Sequence, residues 1–285
     1  MRWQLSRRSS NVEDRRGMGV PKAGGIGCLG LVVIIVIAYL TGSNPLELLQ
    51  QVGTDTSVST QAPATVPGTT TDSGKDFVQA ILGSTEDTWT GIFAEAGRQY
   101  EKPKLVLFQN AVSSACGYNS AAVGPFYCPP DHQVYLDLSF FSELSRRFGA
   151  PGDFANAYVI AHEVGHHVQN LLGISDQIQR LSRRVSATDE NRLSVLQELQ
   201  ADCFAGVWGY HAHKQNPNLL EAGDVEAGLN AAQAIGDDLI QKRSQGYVNP
   251  ESFTHGTSEQ RAHWLRRGLE TGRVDACNTL ESVLR

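Results

Sequence analysis

Two short motifs in the second half of the chain have the residue types and the spacing of a metal site. His162, Glu163 and His166 form an HExxH pattern inside an apolar stretch. Residues four positions apart lie about 400° around a helix, so both imidazoles leave the same face, one turn apart. Such a pair can bind one zinc ion, and Glu163 can accept a proton from a water that the ion activates. The pattern therefore predicts hydrolytic chemistry.

A hydrolytic zinc ion needs a third protein ligand and keeps one position open for water. The segment after His166 lacks the glycine and the third histidine of the longer HExxHxxGxxH pattern. We expect the third ligand to be Glu198, which opens a second run with helical spacing, 198–206. Asp202 follows one turn later, and its carboxylate is expected to accept the other ring N–H of His162 and fix its tautomer. The expected cofactor is one Zn²⁺ ion.

Two interpretations without catalysis remain open, because HExxH also occurs by chance in unrelated chains. One is a catalytically inactive domain that binds zinc or peptides, and the other is an envelope scaffold with a vestigial pocket. A purely structural zinc ion is normally closed by a fourth protein ligand and needs no base, so Glu163 favours an enzyme. His167 lies about 100° around the helix from His166, and we expect a polar neighbour rather than a ligand there.

Four segments resemble a bacterial family of neutral zinc metallopeptidases. They are AYVIAHEVGHHVQ at 157–169, ELQADCFAG at 198–206, THGTSEQR at 254–261 and SSNVEDRRG at 9–17. The resemblance covers nearly the whole chain apart from a linker. It implies a zincin-like peptidase domain that takes a peptide or protein substrate.

Residues 198–202 and 255–261 also have a more distant likeness, to the ExxAD and HPxxxxR elements of membrane-linked CAAX-processing zinc peptidases. The resemblance implies that His255 donates a hydrogen bond to the substrate carbonyl as it becomes an oxyanion, and that Arg261 braces the loop. One such donor lowers the activation free energy by roughly 3 kcal/mol. The alternative is a capping or surface histidine, with Arg261 as a salt-bridge partner. Gly256 replaces the proline of the element, which leaves the loop conformation open.

The N-terminal part of the chain predicts attachment to the cell membrane. Residues 23–41 form an apolar stretch close to the roughly 20 residues that a bilayer needs, so we expect a transmembrane helix. Residues 1–22 are basic, and no Lys or Arg follows the stretch until Lys75. The positive-inside rule then predicts a single-pass protein with a cytoplasmic N-terminus and a catalytic domain outside the cytoplasm. A cleaved signal peptide is the alternative.

Two further regions follow the apolar stretch. Residues 42–74 are rich in Thr, Ser, Gly and Pro and predict a disordered linker. Residues 75–285 are enough for one metallopeptidase domain with a sizeable core. The formal charge of −6 gives no support for nucleic-acid binding, and the sequence leaves the oligomeric state open.

The cysteines of the predicted outer domain are even in number. In an oxidising compartment this favours two disulfides, although four cysteines permit three pairings. We expect Cys116 to pair with Cys128, closing a loop between two strands. Cys203 would pair with Cys277, tying the helix of the second motif to the C-terminal tail.

The pattern of apolar residues predicts an α+β fold that is mainly helical with a few short strands. The resemblance to zinc peptidases implies that these strands form a small sheet beside the HExxH helix. A helix over 76–99, with a break near Gly83, precedes short strands at 104–108, 126–128 and 133–137. Within the last of these, residues 134–137 resemble the edge strand that pairs with extended substrate in zinc peptidases, and an ordinary core strand is the alternative. Further helices are expected over 138–147, 153–172, 174–185, 191–213, 224–245 and 258–270.

Overall fold

Helices make up most of the computed structural model, which describes residues 1–17 and 72–281. The described α-helices are α1 (Ser73–Glu95), α2 (Ser139–Arg146), α3 (Asp153–Leu171), α4 (Ile174–Ser182), α5 (Ala187–Gln215), α6 (Asp224–Ala234), α7 (Asp237–Gln245) and α8 (Ser258–Thr271). The described strands are β1 (Val12–Asp14), β2 (Lys104–Phe108), β3 (Ala111–Ser114), β4 (Gly117–Ser120), β5 (Phe126–Cys128) and β6 (Gln133–Asp137). A mainly helical α+β fold with small sheets is confirmed.

The two motif helices, α3 and α5, cross inside the core. Most residues of α3 between Phe154 and Gln169 are buried, as expected for a helix that is apolar on nearly all sides. Gly165 lies where the two helices touch, and a Cβ built on it would lie 2.9 Å from the backbone oxygen of Ala201. The glycine of the HEVGH sequence therefore lets α5 approach closely enough for the two motifs to meet.

Helix α8 packs against the other side of α5, again through glycines. A Cβ on Gly206 would overlap the backbone oxygen of Leu265, and Gly268 faces the backbone of Cys203 in the same way. The start of α8 is fixed by a capping box, in which the side chains of Thr257 and Gln260 bond each other's backbone N–H. Through these contacts the backbones of α3 and α8 pack directly against α5 around the second motif.

The main sheet has the strand order β1-β2-β6-β5. Strand β2 is parallel to both of its neighbours, β1 and β6, whereas β5 is antiparallel to β6. The expectation that residues 134–137 form an edge strand is therefore wrong for Val134 and Tyr135, because β6 lies between β2 and β5 and these two residues pair with β5. Strand β5 occupies the edge, next to α3. The β3–β4 hairpin, which is polar and carries glycine, was not predicted.

The N-terminal residues are part of the same folded unit as the helices. Strand β1 pairs in parallel with β2, with Val12 opposite Leu105 and Asp14 opposite Leu107. The chain before β1 crosses α1 at Gly83, where a Cβ would overlap the backbone oxygen of Arg7. Helix α1 is thus continuous through Gly83, and the predicted break is wrong, because this glycine serves a close backbone approach rather than a turn.

The prediction put residues 1–22 and the catalytic domain on opposite sides of a membrane, and the packing of residues 1–17 against the helices contradicts it. Two segments that form one compact unit must lie on the same side. The predicted transmembrane helix at 23–41 and most of the linker at 42–74 lie outside the described residues. Residues Ser73 and Gly74, at the end of the predicted linker, belong to α1. Among the helices that are described, none combines the length and apolarity that crossing a bilayer requires.

The helix predicted over 224–245 is two helices, α6 and α7. They separate at Gly236, where a Cβ would overlap the backbone of Ser258 at the start of α8. The chain bends here to pass α8, a tertiary contact that residue periodicity does not encode. The bend places the first turn of α7 beside the segment that carries His255.

Candidate functional site

The three predicted metal ligands meet where α3 crosses α5. The Nε2 atom of His162 lies 3.1 Å from Oε2 of Glu198, and Nε2 of His166 lies 3.3 Å from Oε1 of the same carboxylate. One potential ligand atom from each residue falls within 4.8 Å of the others. His162 is buried, and the other two are largely so, with side chains 15% and 19% exposed.

The second ring nitrogen of each histidine is held by a hydrogen-bond acceptor. His162 Nδ1 lies 2.8 Å from Oδ1 of Asp202, and a carboxylate can only accept, so Nδ1 carries the proton. His166 Nδ1 lies 2.9 Å from Oε1 of Gln169. The amide orientation is set by the other end of Gln169, whose Nε2 donates to the backbone oxygen of Gln197 at 2.7 Å. Both neutral rings therefore present an Nε2 lone pair.

Two lone pairs thus face the two oxygens of one carboxylate, an arrangement that is repulsive without a cation between them. In the metal-free protein a proton can take this place. Burial alone lowers the pKa of His162, but Asp202 and Glu198 raise it to about 10. The same donor set, two imidazoles and one carboxylate, is typical of zinc sites that keep a position open. The site fits a zinc ion.

Asp202 is the centre of a fully buried polar network behind the ligands. Besides His162, its carboxylate accepts from Nε and Nη2 of Arg261, at 2.9 and 3.0 Å, and from the hydroxyl of Tyr158 at 2.6 Å. Arg261 also donates to Tyr158 at 3.1 Å. The guanidinium balances the buried negative charge and leaves Asp202 ionised to orient His162.

Glu163 lies on the wall of a cavity of about 620 Å³ that both metal-site histidines and Glu198 also line. Its side chain is buried, and burial raises the pKa of its carboxyl above the usual value, although the adjacent histidines oppose this. A carboxylate whose pKa is raised toward neutrality is better matched to accepting and returning protons. Its position and its environment both suit a general base.

His255 lines the same cavity from the loop that precedes α8, and 54% of its side chain is exposed. The backbone N–H groups of this loop donate hydrogen bonds to the carboxylate of Asp237, the first residue of α7. Arg261, expected to brace the loop, directs its side chain to Asp202, Tyr158 and the backbone oxygen of Ile235 instead.

His167 fastens the sheet to α3. Its Nε2 donates to the backbone oxygen of Glu101 at 2.7 Å, and its Nδ1 accepts from the hydroxyl of Tyr127 at 3.0 Å. Burial lowers the pKa of His167 to about 4, so the ring is neutral at neutral pH. Both ring nitrogens are used, and Tyr127 belongs to β5, so this contact fixes the edge strand beside the cavity.

Both expected disulfides are present. Cys116 and Cys128 join the turn of the β3–β4 hairpin to the end of β5, with Cα atoms 5.8 Å apart. Cys203 and Cys277 join α5 to the C-terminal segment, with Cα atoms 5.6 Å apart. Because Cys203 directly follows Asp202, the second bridge fixes α5 beside the buried polar network.

Three residues of the site escaped the sequence analysis. Gln169 lies three positions after His166, and Tyr158 lies four positions before His162, so helical spacing carried a signal for both. Asp237 had no such signal, because it reaches the His255 loop through a contact between segments far apart in the chain.

Comparison with known proteins agrees with this geometry. A family described as "Putative neutral zinc metallopeptidase" matches residues 1–280. The chain belongs to this family. The expected resemblance is thereby confirmed, and the family's description names a peptidase that uses zinc, the chemistry for which the ligand set is suited.

Proteins from two bacteria match most of the chain. The protein named "Uncharacterized protein YpfJ" of Escherichia coli K12 is 47% identical over 285 residues, covering 98% of each chain. "Uncharacterized protein Mb2605" of Mycobacterium bovis is 41% identical over 216 residues, covering 73% of this chain and 72% of its own. No solved structure matches the chain.

Proposed function

We propose that the protein is a zinc-dependent endopeptidase that hydrolyses peptide bonds in a peptide or protein substrate. The observation that carries this proposal is the convergence of His162, His166 and Glu198 beside the buried carboxylate of Glu163, in a cavity open to solvent. A closed structural site would need a fourth protein ligand and no base.

Zinc bound by the two Nε2 atoms and the Glu198 carboxylate would supply Lewis-acid chemistry, activating a water and polarising a carbonyl oxygen. The protein supplies the proton transfers. Glu163 accepts the proton of the attacking water and then donates it to the nitrogen of the leaving amine. His255, on the cavity wall, donates a hydrogen bond to the carbonyl oxygen as negative charge develops there.

Substrate binding is proposed along β5. Within the described residues this strand is the edge of the sheet, and its residues Phe126 and Tyr127 line the cavity. An extended peptide can add to such an edge through main-chain hydrogen bonds, which give affinity with little dependence on sequence. That mode of binding suits an endopeptidase.

The two disulfides support action in an oxidising compartment, outside the cytoplasm. Residues 1–17 would then lie in that compartment too, because they form one unit with the domain.

The function is tested with the parent protein and the Glu163→Gln variant. We expect one zinc per chain in both, cleavage of an unfolded protein by the parent that a chelator abolishes, and at least a roughly 100-fold lower kcat in the variant. Metal analysis and gel or mass-spectrometric assay of products give these quantities. A parent without zinc and without cleavage would contradict the proposal, and full activity in Glu163→Gln would remove the assigned base.

A further inference from the structure

The loop that carries His255 is wrapped around the carboxylate of Asp237. Oδ2 of this residue accepts three consecutive backbone N–H groups, from Thr254 at 2.8 Å, His255 at 2.7 Å and Gly256 at 3.1 Å. The backbone N–H of Asp237 donates in return to the oxygen of Gly256 at 2.9 Å. Asp237 is only 9% exposed, so these bonds form with little competition from water.

The glycine in this loop matches the aspartate. Gly256 has a φ of +96°, a conformation that proline cannot adopt. Its backbone N–H is one of the three donors to Asp237, and proline has no such N–H. The replacement of the proline of HPxxxxR thus has a physical reason here, since this loop is closed by a carboxylate.

The other oxygen of Asp237 reaches the histidine ring itself. Oδ1 lies 3.2 Å from Nδ1 of His255, and the hydroxyl of Thr254 lies 3.0 Å from the same nitrogen. Burial raises the pKa of the Asp237 carboxyl, but hydrogen bonds from the His255 ring and the backbone bring that pKa below its usual value. The ionised carboxylate can only accept, so the ring proton lies on Nδ1 and leaves Nε2 for a substrate.

We propose that Asp237 is a positioning residue that holds His255 in the orientation and protonation needed at the cavity wall. While Nδ1 keeps its proton, Nε2 can donate to a developing oxyanion only when the ring is doubly protonated, and the Asp237 carboxylate balances the charge of that ring. The inference rests on the proposed function, in which His255 contacts the carbonyl oxygen. The hydrogen bonds that Asp237 accepts from the loop are present whether or not the proposed function holds.

The kinetic test uses Asp237→Asn, His255→Ala and the double variant. Asparagine keeps the shape and an oxygen for the backbone donors, but removes the charge and turns a donor toward Nδ1. We expect kcat to fall about 10-fold in Asp237→Asn with KM within about twofold, because a hydrogen bond from an uncharged donor is about half as strong. His255→Ala should lose about 100-fold, and the double variant should lose no more.

Asp238→Asn is the matched control. Asp238 occupies the next position of α7 and accepts from the backbone and hydroxyl of Ser258, at 2.8 and 2.7 Å, with no hydrogen bond to His255. The Asp238→Asn variant loses the same charge as Asp237→Asn, and its kcat should equal that of the parent. If Asp237→Asn lowers kcat by the same factor when His255 is already alanine, or does not lower it at all, the positioning role is overturned.

A second measurement is independent of turnover. In protein labelled with ¹⁵N-histidine, the ring signals of His255, assigned by their loss in His255→Gln, should show the proton of the neutral ring on Nδ1. In Asp237→Asn the proton should move to Nε2, and unchanged ring signals would overturn the proposal. If the parent itself cleaves nothing, the proposed function fails, and the ring signals alone decide whether Asp237 holds His255.

Discussion

The carboxylate of Asp202 links the metal ligands to the rest of the fold at the scale of single residues. One oxygen orients His162, and both oxygens accept from Arg261, which is itself buried. An ion pair of this kind is tolerated in the interior because each partner satisfies the other, whereas removing one partner leaves a buried, unpaired charge. Zinc affinity and folding stability are therefore coupled through this side chain.

Replacing Asp202 by Asn should weaken both properties. Zinc affinity should fall about 10- to 100-fold, because His162 loses the partner that fixes its tautomer. The free energy of unfolding should fall by about 3 kcal/mol or more, because Arg261 loses its counter-charge. Competition with a chelating dye and urea unfolding measure the two effects. Asp189→Asn, which removes a half-exposed charge at the start of the same helix, is the control for metal binding and should leave zinc affinity unchanged. An unchanged zinc affinity in Asp202→Asn would show that the contact is not needed.

The sequence carried enough information for the metal ligands because their relative direction is a local property. Residues 162 and 166 share a face in any α-helix, and so do residues 198 and 202. The partners of the His255 loop could not be predicted in this way. Asp237 reaches it through the packing of α7 against the start of α8, and nothing in the residues around 237 marks that contact.

At the scale of elements, the site depends on how closely helix backbones approach. Gly165 lets α3 meet α5, and Gly206 with Gly268 lets α5 meet α8. The metal ligands sit on α3 and α5, and Arg261 sits on α8. Each glycine contact thus sets the distance between two parts of the site.

Gly206→Ala should destabilise the protein by about 1–3 kcal/mol or more, because the added methyl group overlaps the backbone of Leu265 on α8 and no side chain can move aside. Gly91→Ala is the matched control, since Gly91 lies exposed in the interior of α1 with no atom near the new methyl group. That change should stabilise by about 0.5–1 kcal/mol through helix propensity alone. Urea unfolding of both variants tests the contrast, which would vanish if the α5–α8 contact were looser.

The elements that sequence analysis missed share one physical cause. The bend at Gly236, the straight course of α1 through Gly83 and the pairing of β1 all depend on segments distant in the chain. Periodicity predicted where most helices lie, because it reports which face of a segment is buried. It cannot report what covers that face, and so strand 134–137 was expected at the edge of a sheet in which Val134 and Tyr135 are internal.

At the scale of the whole molecule, the N-terminal residues are anchored by a buried carboxylate on α1. Glu86, 1% exposed, accepts from Arg7 at 2.6 Å, from Ser9 at 2.5 Å and from Asn11 at 2.7 Å. The basic residues that predicted a cytoplasmic segment thus include one that pairs with a buried acid of the domain. The distribution of basic residues along the sequence predicted a membrane topology, whereas the contact with Glu86 shows that Arg7 has a structural role in the fold.

Residues near the N-terminus and residues of the domain should therefore lie on the same side of any membrane. The test uses a protein in which Cys28 is replaced by Ser and a single cysteine is added at one of two exposed positions, Gln4 or His213. Both cysteines should react alike with an impermeant maleimide on intact cells. Permeabilised cells, in which both positions should react, provide the control. Labelling at one position and protection at the other would show that the two parts are separated by a bilayer.

The pairing of β1 with β2 has a consequence for the lifetime of the protein. Leu105, Val106 and Leu107 in β2 are fully buried, and β1 covers the side of the strand that β6 leaves open. A chain shortened to begin at residue 75 would expose this row of main-chain donors and acceptors flanked by apolar side chains. Such an uncovered row is a template on which other chains associate. We therefore expect the first seventeen residues to protect the protein against aggregation.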